Sequence, residues 1–131
     1  MQKSKTQWRK RVDVFQYIYS LLMNNELDEK FIKEDAFENH LFEIDQLKTI
    51  EYFAAHFGAI IKELTTNLSS EWTWERIPPV EKAIMIDAIC EARANKINRK
   101  IIIDQALVTT KKFADKGSTK YINAVLDKVI K

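Results

Sequence analysis

Glycine, proline and cysteine are all scarce in this chain: 131 residues include two glycines, two prolines and one cysteine. A sheet-rich fold needs turn residues every ~8–12 positions, and this sequence does not supply them. Glycine-rich phosphate-binding loops are missing as well. The lone Cys90 excludes an internal disulfide and any multi-cysteine metal site. We expect Cys90 to be a small buried apolar residue.

Long apolar runs are also missing. No stretch approaches the ~20 residues that a membrane-spanning helix needs, and the N-terminus has no apolar segment typical of a signal peptide. Apolar residues nevertheless make up 46% of the chain and charged residues 31%, which is typical of a folded domain. We therefore expect a single domain over residues 1–131 that is cytoplasmic and has no membrane contact.

Helical spacing of apolar residues dominates what is present. Phe15, Ile18, Tyr19 and Leu22 follow the i, i+3, i+4, i+7 pattern of one helix face, and this helix is expected to end at Asn24-Asn25. Similar spacing recurs in later segments, at about 28–37, 47–64, 80–90, 103–113 and 121–129. The pattern predicts an all-α fold of six or seven helices. Periodicity is lost near 69–79, which predicts helical subdomains of roughly 1–70 and 71–131.

A few residues predict where helices begin and end. Asp28 is a good N-cap for the second helix, and Pro79 is expected to open a helix because proline fits only a first turn. Gly117 is typical of a helix stop, and Ser118 of the next N-cap. Gly58 lies inside the third helix, which predicts that another helix approaches closely there.

Charge is distributed unevenly along the chain. The net charge of +2 combines +5 over residues 1–11, −1 over residues 12–25, −6 over residues 26–51, −3 over residues 52–92 and +7 over residues 93–131. Basic ends favour a polyanionic partner, and the acidic middle favours a basic protein partner. The alternative interpretation is that these charges are solvated helix faces.

The N-terminal segment combines cations with aromatic rings. Cations can contact phosphates and aromatic rings can stack on unpaired bases, so this pattern favours RNA binding. Trp8 and Tyr19 are the candidates for stacking, with core packing as the alternative for Tyr19. The candidate phosphate contacts are Lys5, Arg9, Lys10 and Arg11.

A second basic cluster surrounds Phe113 and the Gly117-Ser118 junction. A helix is expected to begin there, and the free backbone N–H groups of a helix N-terminus suit a phosphate. The alternative is a solvated lysine face at a helix C-terminus, where cations are favourable. The cluster comprises Lys111, Lys112, Lys116 and Lys120.

Residues suited to catalysis or metal binding are few. His40 and His56 are too far apart for a short local metal motif, and neither lies in a pattern such as HExxH. We therefore expect no metal site, no cofactor and no enzymatic activity.

Residues 71–131 resemble the C-terminal half of the NusB family. The matching motifs are Arg76, VEKAI at 80–84, Ala88 with Glu91, IDQAL at 103–107, KF at 112–113 and SxKYINAVLDK from Ser118 to Lys128. The N-terminal RKRVDVFQYIYS also resembles the family's arginine-rich start, with Gln16 and Tyr19 at the matching places. Residues 24–70 match only in helical character.

The resemblance implies an all-α, NusB-like fold of two three-helix bundles. It also implies binding to single-stranded boxA-like RNA of ribosomal leaders, jointly with NusE, a small-subunit ribosomal protein, in the RNA polymerase antitermination complex. The implied partner contacts are Tyr19, Leu22 and Glu81. The implied RNA contacts are Lys5, Trp8, Arg9, Lys10, Arg11, Gln16, Tyr19, Lys112, Phe113, Lys116, Ser118 and Lys120.

The sequence departs from the family pattern in places. Its N-terminal segment mixes lysine with arginine, Gly117 stands where relatives often carry an acidic residue, and Ala124 replaces a frequent glycine. These departures keep a second hypothesis open, namely a helical protein-interaction module of the same fold without RNA binding. RNA cytosine methyltransferases carry a similar domain, but a chain ending at Lys131 leaves no room for a methyl-donor domain, so that activity is not expected.

Overall fold

The computed structural model describes residues 6–131, and these form six α-helices with no strand among them. The helices are α1 (Gln7–Met23), α2 (Glu29–Glu38), α3 (Ile44–Thr66), α4 (Pro79–Ala94), α5 (Arg99–Phe113) and α6 (Thr119–Val129). Two short 3₁₀ turns, Trp74–Arg76 and Lys116–Ser118, precede α4 and α6. The prediction of an all-α fold is confirmed.

Most helix starts follow local capping chemistry. The Thr6 side chain accepts a hydrogen bond from the Arg9 backbone N–H, and Asp28 accepts one from Phe31, which satisfies N–H groups that the first turn leaves free. Glu43 and Gln46 form a reciprocal capping box at the start of α3. Pro79 opens α4 as predicted.

The turn before α6 is organised differently from the prediction. Helix α5 already ends at Phe113, and Gly117 lies in the following 3₁₀ turn without a positive φ. The Gly117 N–H donates to Asp115 Oδ1 at 3.0 Å, whereas the Ser118 side chain makes no cap hydrogen bond. Ser118 is the N-cap residue of α6, as predicted, although its side chain does not cap the helix. The predicted role of Gly117 as helix stop is wrong, because α5 ends at Phe113 and Asp115 shapes the turn that follows.

Gly58 does not mark a close approach between helices. A Cβ atom built at Gly58 would meet no atom within 4 Å, and the residue is exposed. The prediction of helix contact there is wrong, and no packing in the structure explains the glycine.

Helix α4 forms the centre of the molecule. Its residues from Ala83 to Glu91 are all buried, because α1 and α3 pack on it from one half of the chain and α5 and α6 from the other. Three helices precede the irregular segment 67–78 and three follow it, yet one continuous buried cluster includes residues of all six. Cys90 lies in this core, as predicted, and burial raises the pKa of its thiol well above the ordinary value.

The buried stripe of α1 differs in part from the predicted one. Phe15 and Ile18 are buried as expected, but Tyr17 is also buried, at 6% exposure. Tyr17 turns inward because its hydroxyl donates to Asp35 Oδ2 on α2 at 2.7 Å. Tyr19 and Leu22 are half-buried, so both lie at the border between the core and the surface.

Candidate nucleic-acid interface

The start of α1 contacts the end of α5. Trp8 Nε1 donates to Thr109 Oγ1 at 3.2 Å, and the Trp8 ring stacks on Phe113 with centroids 6.4 Å apart. Phe113 also contacts Phe15, at 5.3 Å between centroids. These contacts bring together the two basic segments of the sequence, residues 1–11 and the cluster from Lys111 to Lys120, which lie about a hundred residues apart.

The second basic segment, residues 111–120, carries four lysines that are not paired with acidic side chains of the described residues. Lys111 and Lys112 occupy the last turn of α5, where the helix dipole favours cations, and Lys116 and Lys120 follow in the turn and in α6. All four are exposed, and none forms an ion pair with another residue between 6 and 131. They form a cationic surface beside the exposed Phe113.

Helix α1 contributes an exposed polar face to the same region. Arg9 is exposed, and its Nε lies 3.3 Å from Asp13 Oδ1, one turn along the helix. The Arg9 side chain is 53% exposed and that of Asp13 15%, so the guanidinium keeps a part open to solvent. Gln16 is exposed two turns after Arg9.

Lys10 follows Arg9 directly in α1 but is 8% exposed. Its Nζ is 2.7 Å from Asp45 Oδ2 and 3.7 Å from Glu43 Oε1, while its carbonyl oxygen accepts from Gln46 Nε2 at 3.1 Å. Lys10 therefore ties α1 to the start of α3. The predicted phosphate contact does not fit this arrangement, because the ammonium group is already paired inside the protein.

Arg11 is likewise held inside the protein. Its Nε donates to Glu91 at 2.9 and 3.0 Å from the two carboxylate oxygens, and both side chains are largely buried. Asp87 lies in the same cluster: burial raises its pKa well above the ordinary value, the Glu91 charge raises it further, and Arg11 opposes both. Arg11 neutralises a buried acidic cluster on α4, so its predicted phosphate contact does not fit the structure either.

Glu81 is enclosed by the core, with 2% exposure. Its Oε1 and the Tyr121 hydroxyl are both shut off from solvent, without a well-formed hydrogen bond to residues 6–131. Burial and then the Glu81 carboxylate raise the pKa of Tyr121. Glu81 is therefore closed off from solvent in this structure because helices pack on both sides of α4, and its partner contact stays a prediction.

The remaining predicted residues fall into three groups. Tyr19 and Leu22 stay accessible at the border of α1, and Ser118 is half-buried at the start of α6. Lys5 lies outside the described residues. Thr109 was not among the predicted residues, although it accepts a hydrogen bond from Trp8 Nε1; the available signal was its polar side chain on the apolar stripe of α5.

The described part of the chain shows neither a metal-binding cluster nor a membrane-spanning helix. No group of three or more potential metal-ligating side chains occurs within residues 6–131. None of the six helices is long and apolar enough to cross a membrane.

Comparison with known proteins agrees with the all-helical fold. The model of the NusB family matches residues 9–131, so the chain belongs to the NusB family. Transcription antitermination protein NusB of Wolinella succinogenes is 30% identical over 125 residues, covering 93% of this chain and 92% of that protein. The protein of the same name from Sulfurovum sp. is 33% identical over 131 residues, covering 95% and 97%.

A solved structure of NusB from T. maritima shares the fold. It aligns with a TM-score of 0.78 over 98% of this chain and 92% of that chain, at 21% sequence identity. The resemblance inferred from the motifs is confirmed, and so is the NusB-like arrangement of the helices.

Proposed function

We propose that this protein is a cytoplasmic transcription antitermination factor that binds single-stranded boxA-like RNA of ribosomal leaders together with NusE. It would act within the RNA polymerase antitermination complex. Membership of the NusB family and the names of the relatives support this class of function. The proposal that the protein binds RNA is supported above all by the contact of Trp8 with Thr109 and Phe113. This contact joins the two basic segments into one surface.

The RNA backbone would follow the exposed cations of that surface. Arg9 supplies a guanidinium on α1, and the four lysines near the α5–α6 turn supply a second track. Backbone N–H groups at the start of α6, beside Ser118, add to the attraction for a phosphate. Lys5 would extend the track before α1.

Unpaired bases would stack on the aromatic residues between the two tracks. Phe113 is 36% exposed and Trp8 is half-buried beside it, so each ring has an accessible part. Tyr19 and Gln16 lie further along α1 and would offer a second ring and an amide to the bases. Lys10 and Arg11 would hold α1 in position instead of contacting phosphates.

The salt dependence of RNA binding tests this proposal. If about five cations engage phosphates, the plot of log K against log salt concentration has a slope near −3.5, from ~0.7 per contact on single strands. Replacing Lys112, Lys116 and Lys120 together with alanine should flatten this slope by about two units. The measurement is a titration of labelled boxA-type RNA at several salt concentrations, with and without NusE.

A matched control uses three exposed lysines elsewhere on the molecule. Lys30, Lys48 and Lys62 are exposed and lie on α2 and α3, so their replacement with alanine removes the same charge without touching the proposed track. An equal change of slope in both triple variants would contradict the proposal. Retained NusE binding with no RNA binding under any condition would favour the interaction-module hypothesis, which the internal pairing of Lys10 and Arg11 already favours.

A further inference from the structure

Two buried carboxyl groups of α4 share one guanidinium. Asp87 is 7% exposed and Glu91 8%, and their spacing of four residues places them on the same face of the helix. Arg11 Nε donates to both carboxylate oxygens of Glu91, at 2.9 and 3.0 Å. Within residues 6–131 no side chain donates a hydrogen bond to the Asp87 carboxyl group. The cluster is therefore neutral only if one of the two carboxyl groups keeps its proton.

The α3 side of Asp87 supplies no second positive charge. A small cavity next to Asp87 is lined on that side by Lys10 and Asp45. Lys10 Nζ is 2.7 Å from Asp45 Oδ2 and 3.7 Å from Glu43 Oε1, so its charge is already balanced. On α4 itself, burial and the nearby Asp87 raise the pKa of the Cys90 thiol, which keeps this thiol neutral.

The α5 side of Asp87 is uncharged. A second small cavity lies between Asp87, Arg11 and α5, and the polar side chains that α5 contributes to it are the neutral Gln105 and Thr109. Burial and the Glu91 carboxylate raise the pKa of Asp87 well above its ordinary value, and Arg11 opposes them. A proton on Asp87 leaves Glu91 and Arg11 as one matched ion pair, whereas its loss buries a second negative charge without compensation.

This cluster lies directly beneath the candidate RNA surface. Thr109, which lines the second cavity, accepts a hydrogen bond from Trp8 Nε1 at 3.2 Å. Trp8 and Arg11 are three residues apart in α1, so they lie on neighbouring positions of one helix face. Arg11 fixes this turn of α1 to α4, and Trp8 fixes it to α5. A change in the charge of the cluster therefore reaches Trp8 through a single helical turn.

We propose that Asp87 keeps a proton in the folded protein and that this proton holds the start of α1 in the position that binds RNA. The inference rests on the proposed function for the identity of the ligand. When the proton passes to solvent, the new carboxylate competes with Glu91 for Arg11, the start of α1 separates from α4, and Trp8 leaves Thr109. RNA binding and protonation of Asp87 therefore favour each other, because coupling between two binding events is reciprocal. Asp87 is thus a positioning residue that makes RNA binding depend on pH.

The pH dependence of RNA affinity tests this role. Labelled boxA-type RNA is titrated with the full chain between pH 5 and 9 at constant salt concentration. Over the range in which Asp87 ionises, the affinity of the parent should fall by up to about tenfold per pH unit, the limit for one linked proton. Asp87→Asn mimics the protonated group and should remove this fall. Asp104→Asn changes an exposed acidic residue of α5 and should keep the parental pH dependence.

Nuclear magnetic resonance tests the position of α1 without RNA. The carboxyl ¹³C signal of Asp87, assigned by its absence in Asp87→Asn, reports the proton directly. The indole N–H signal of Trp8 reports the bond to Thr109, with Trp72 and Trp74 as references in the same spectrum. We expect solvent exchange of the Trp8 indole proton to accelerate at the pH at which Asp87 ionises, and Asp87→Asn to abolish this change.

The outcomes separate the role of Asp87 from the proposed function. Absence of RNA binding by the parent at every pH would remove RNA from the proposed function, whereas the signals of Asp87 and Trp8 would still test the placement of α1. An Asp87 carboxyl group that is already ionised at pH 5 would overturn the inference. The same pH dependence of RNA affinity in the parent and in Asp87→Asn would also overturn it. So would a loss of helical circular dichroism over the pH range of Asp87 ionisation, because the whole fold rather than the start of α1 would then respond.

Discussion

The two basic segments, residues 1–11 and 111–120, are both rich in cations, but their described residues expose those cations differently. In the first, Lys10 and Arg11 are paired with carboxylates inside the protein. In the second, Lys112, Lys116 and Lys120 face solvent without ion pairs to residues 6–131. The difference arises because α1 packs against acidic residues of α3 and α4, whereas the end of α5 lies at the border of the molecule. A run of basic residues therefore does not by itself define a phosphate-binding site.

The largest expected effect is on stability, from Arg11→Ala. This change leaves Glu91 buried without its partner and next to Asp87, so the free energy of unfolding should fall by about 3–5 kcal/mol. Urea denaturation measures the loss. Arg11→Met combined with Glu91→Leu should recover much of it, because no buried charge is then left unpaired. A fully stable Arg11→Ala chain with a flatter salt dependence of RNA binding would instead make Arg11 a phosphate contact.

The buried acidic cluster should also make stability depend on pH. The pKa of Asp87 is higher in the folded than in the unfolded protein, so its contribution is full below about pH 3.8, its unfolded value, and is lost as pH rises through the folded pKa. Asp87→Asn should therefore stabilise the protein at neutral pH and reduce the loss of stability as the pH rises above about 3.8. Denaturation at several pH values checks this, with the exposed Asp104→Asn as control.

Single lysine substitutions compare the two segments directly. Lys116→Ala should flatten the salt dependence of RNA binding by about 0.7, the value for one phosphate contact. Lys10→Ala should leave that slope unchanged and lower stability by about 1 kcal/mol, because it removes the pairing with Asp45. The reverse result, a flatter slope only for Lys10→Ala, would mean that Lys10 leaves Asp45 to bind RNA.

The smallest expected effect concerns the contact that joins the segments. Thr109→Val removes the acceptor for Trp8 Nε1 and also the hydrogen bond that Thr109 Oγ1 donates to the Gln105 carbonyl oxygen. The free energy of unfolding should fall by about 0.5–1.5 kcal/mol, mainly from the bond to Trp8, because the bond from a helical threonine to the carbonyl four residues earlier adds little stability. The variant should stay folded, and its RNA affinity should nevertheless fall, because Trp8 is no longer held beside Phe113. The free energy of unfolding and the RNA affinity of the variant are measured in parallel. An unchanged RNA affinity would exclude Trp8 from the RNA-binding site.

Local sequence signals determined the helices. Asp28 and Pro79 mark helix starts that the structure confirms, because capping and proline geometry act within one helical turn. The family motifs between 71 and 131 were enough to predict the fold. The exposed lysines near the α5–α6 turn were also evident, since no acidic residue other than Asp115 lies near them in the sequence.

Tertiary contacts decided which of the candidate residues reach the surface. Arg11 meets Glu91 across 80 residues, and Lys10 meets Asp45 only because α1 packs beside α3. Tyr17 is buried in preference to Tyr19 because α2 brings Asp35 to its hydroxyl. Periodicity within one helix gives the angle of a side chain around the axis, but burial and pairing depend on the helix that packs against it. The chain by itself therefore determined its helices and its family, and packing around α4 determined which charges and rings are free to bind.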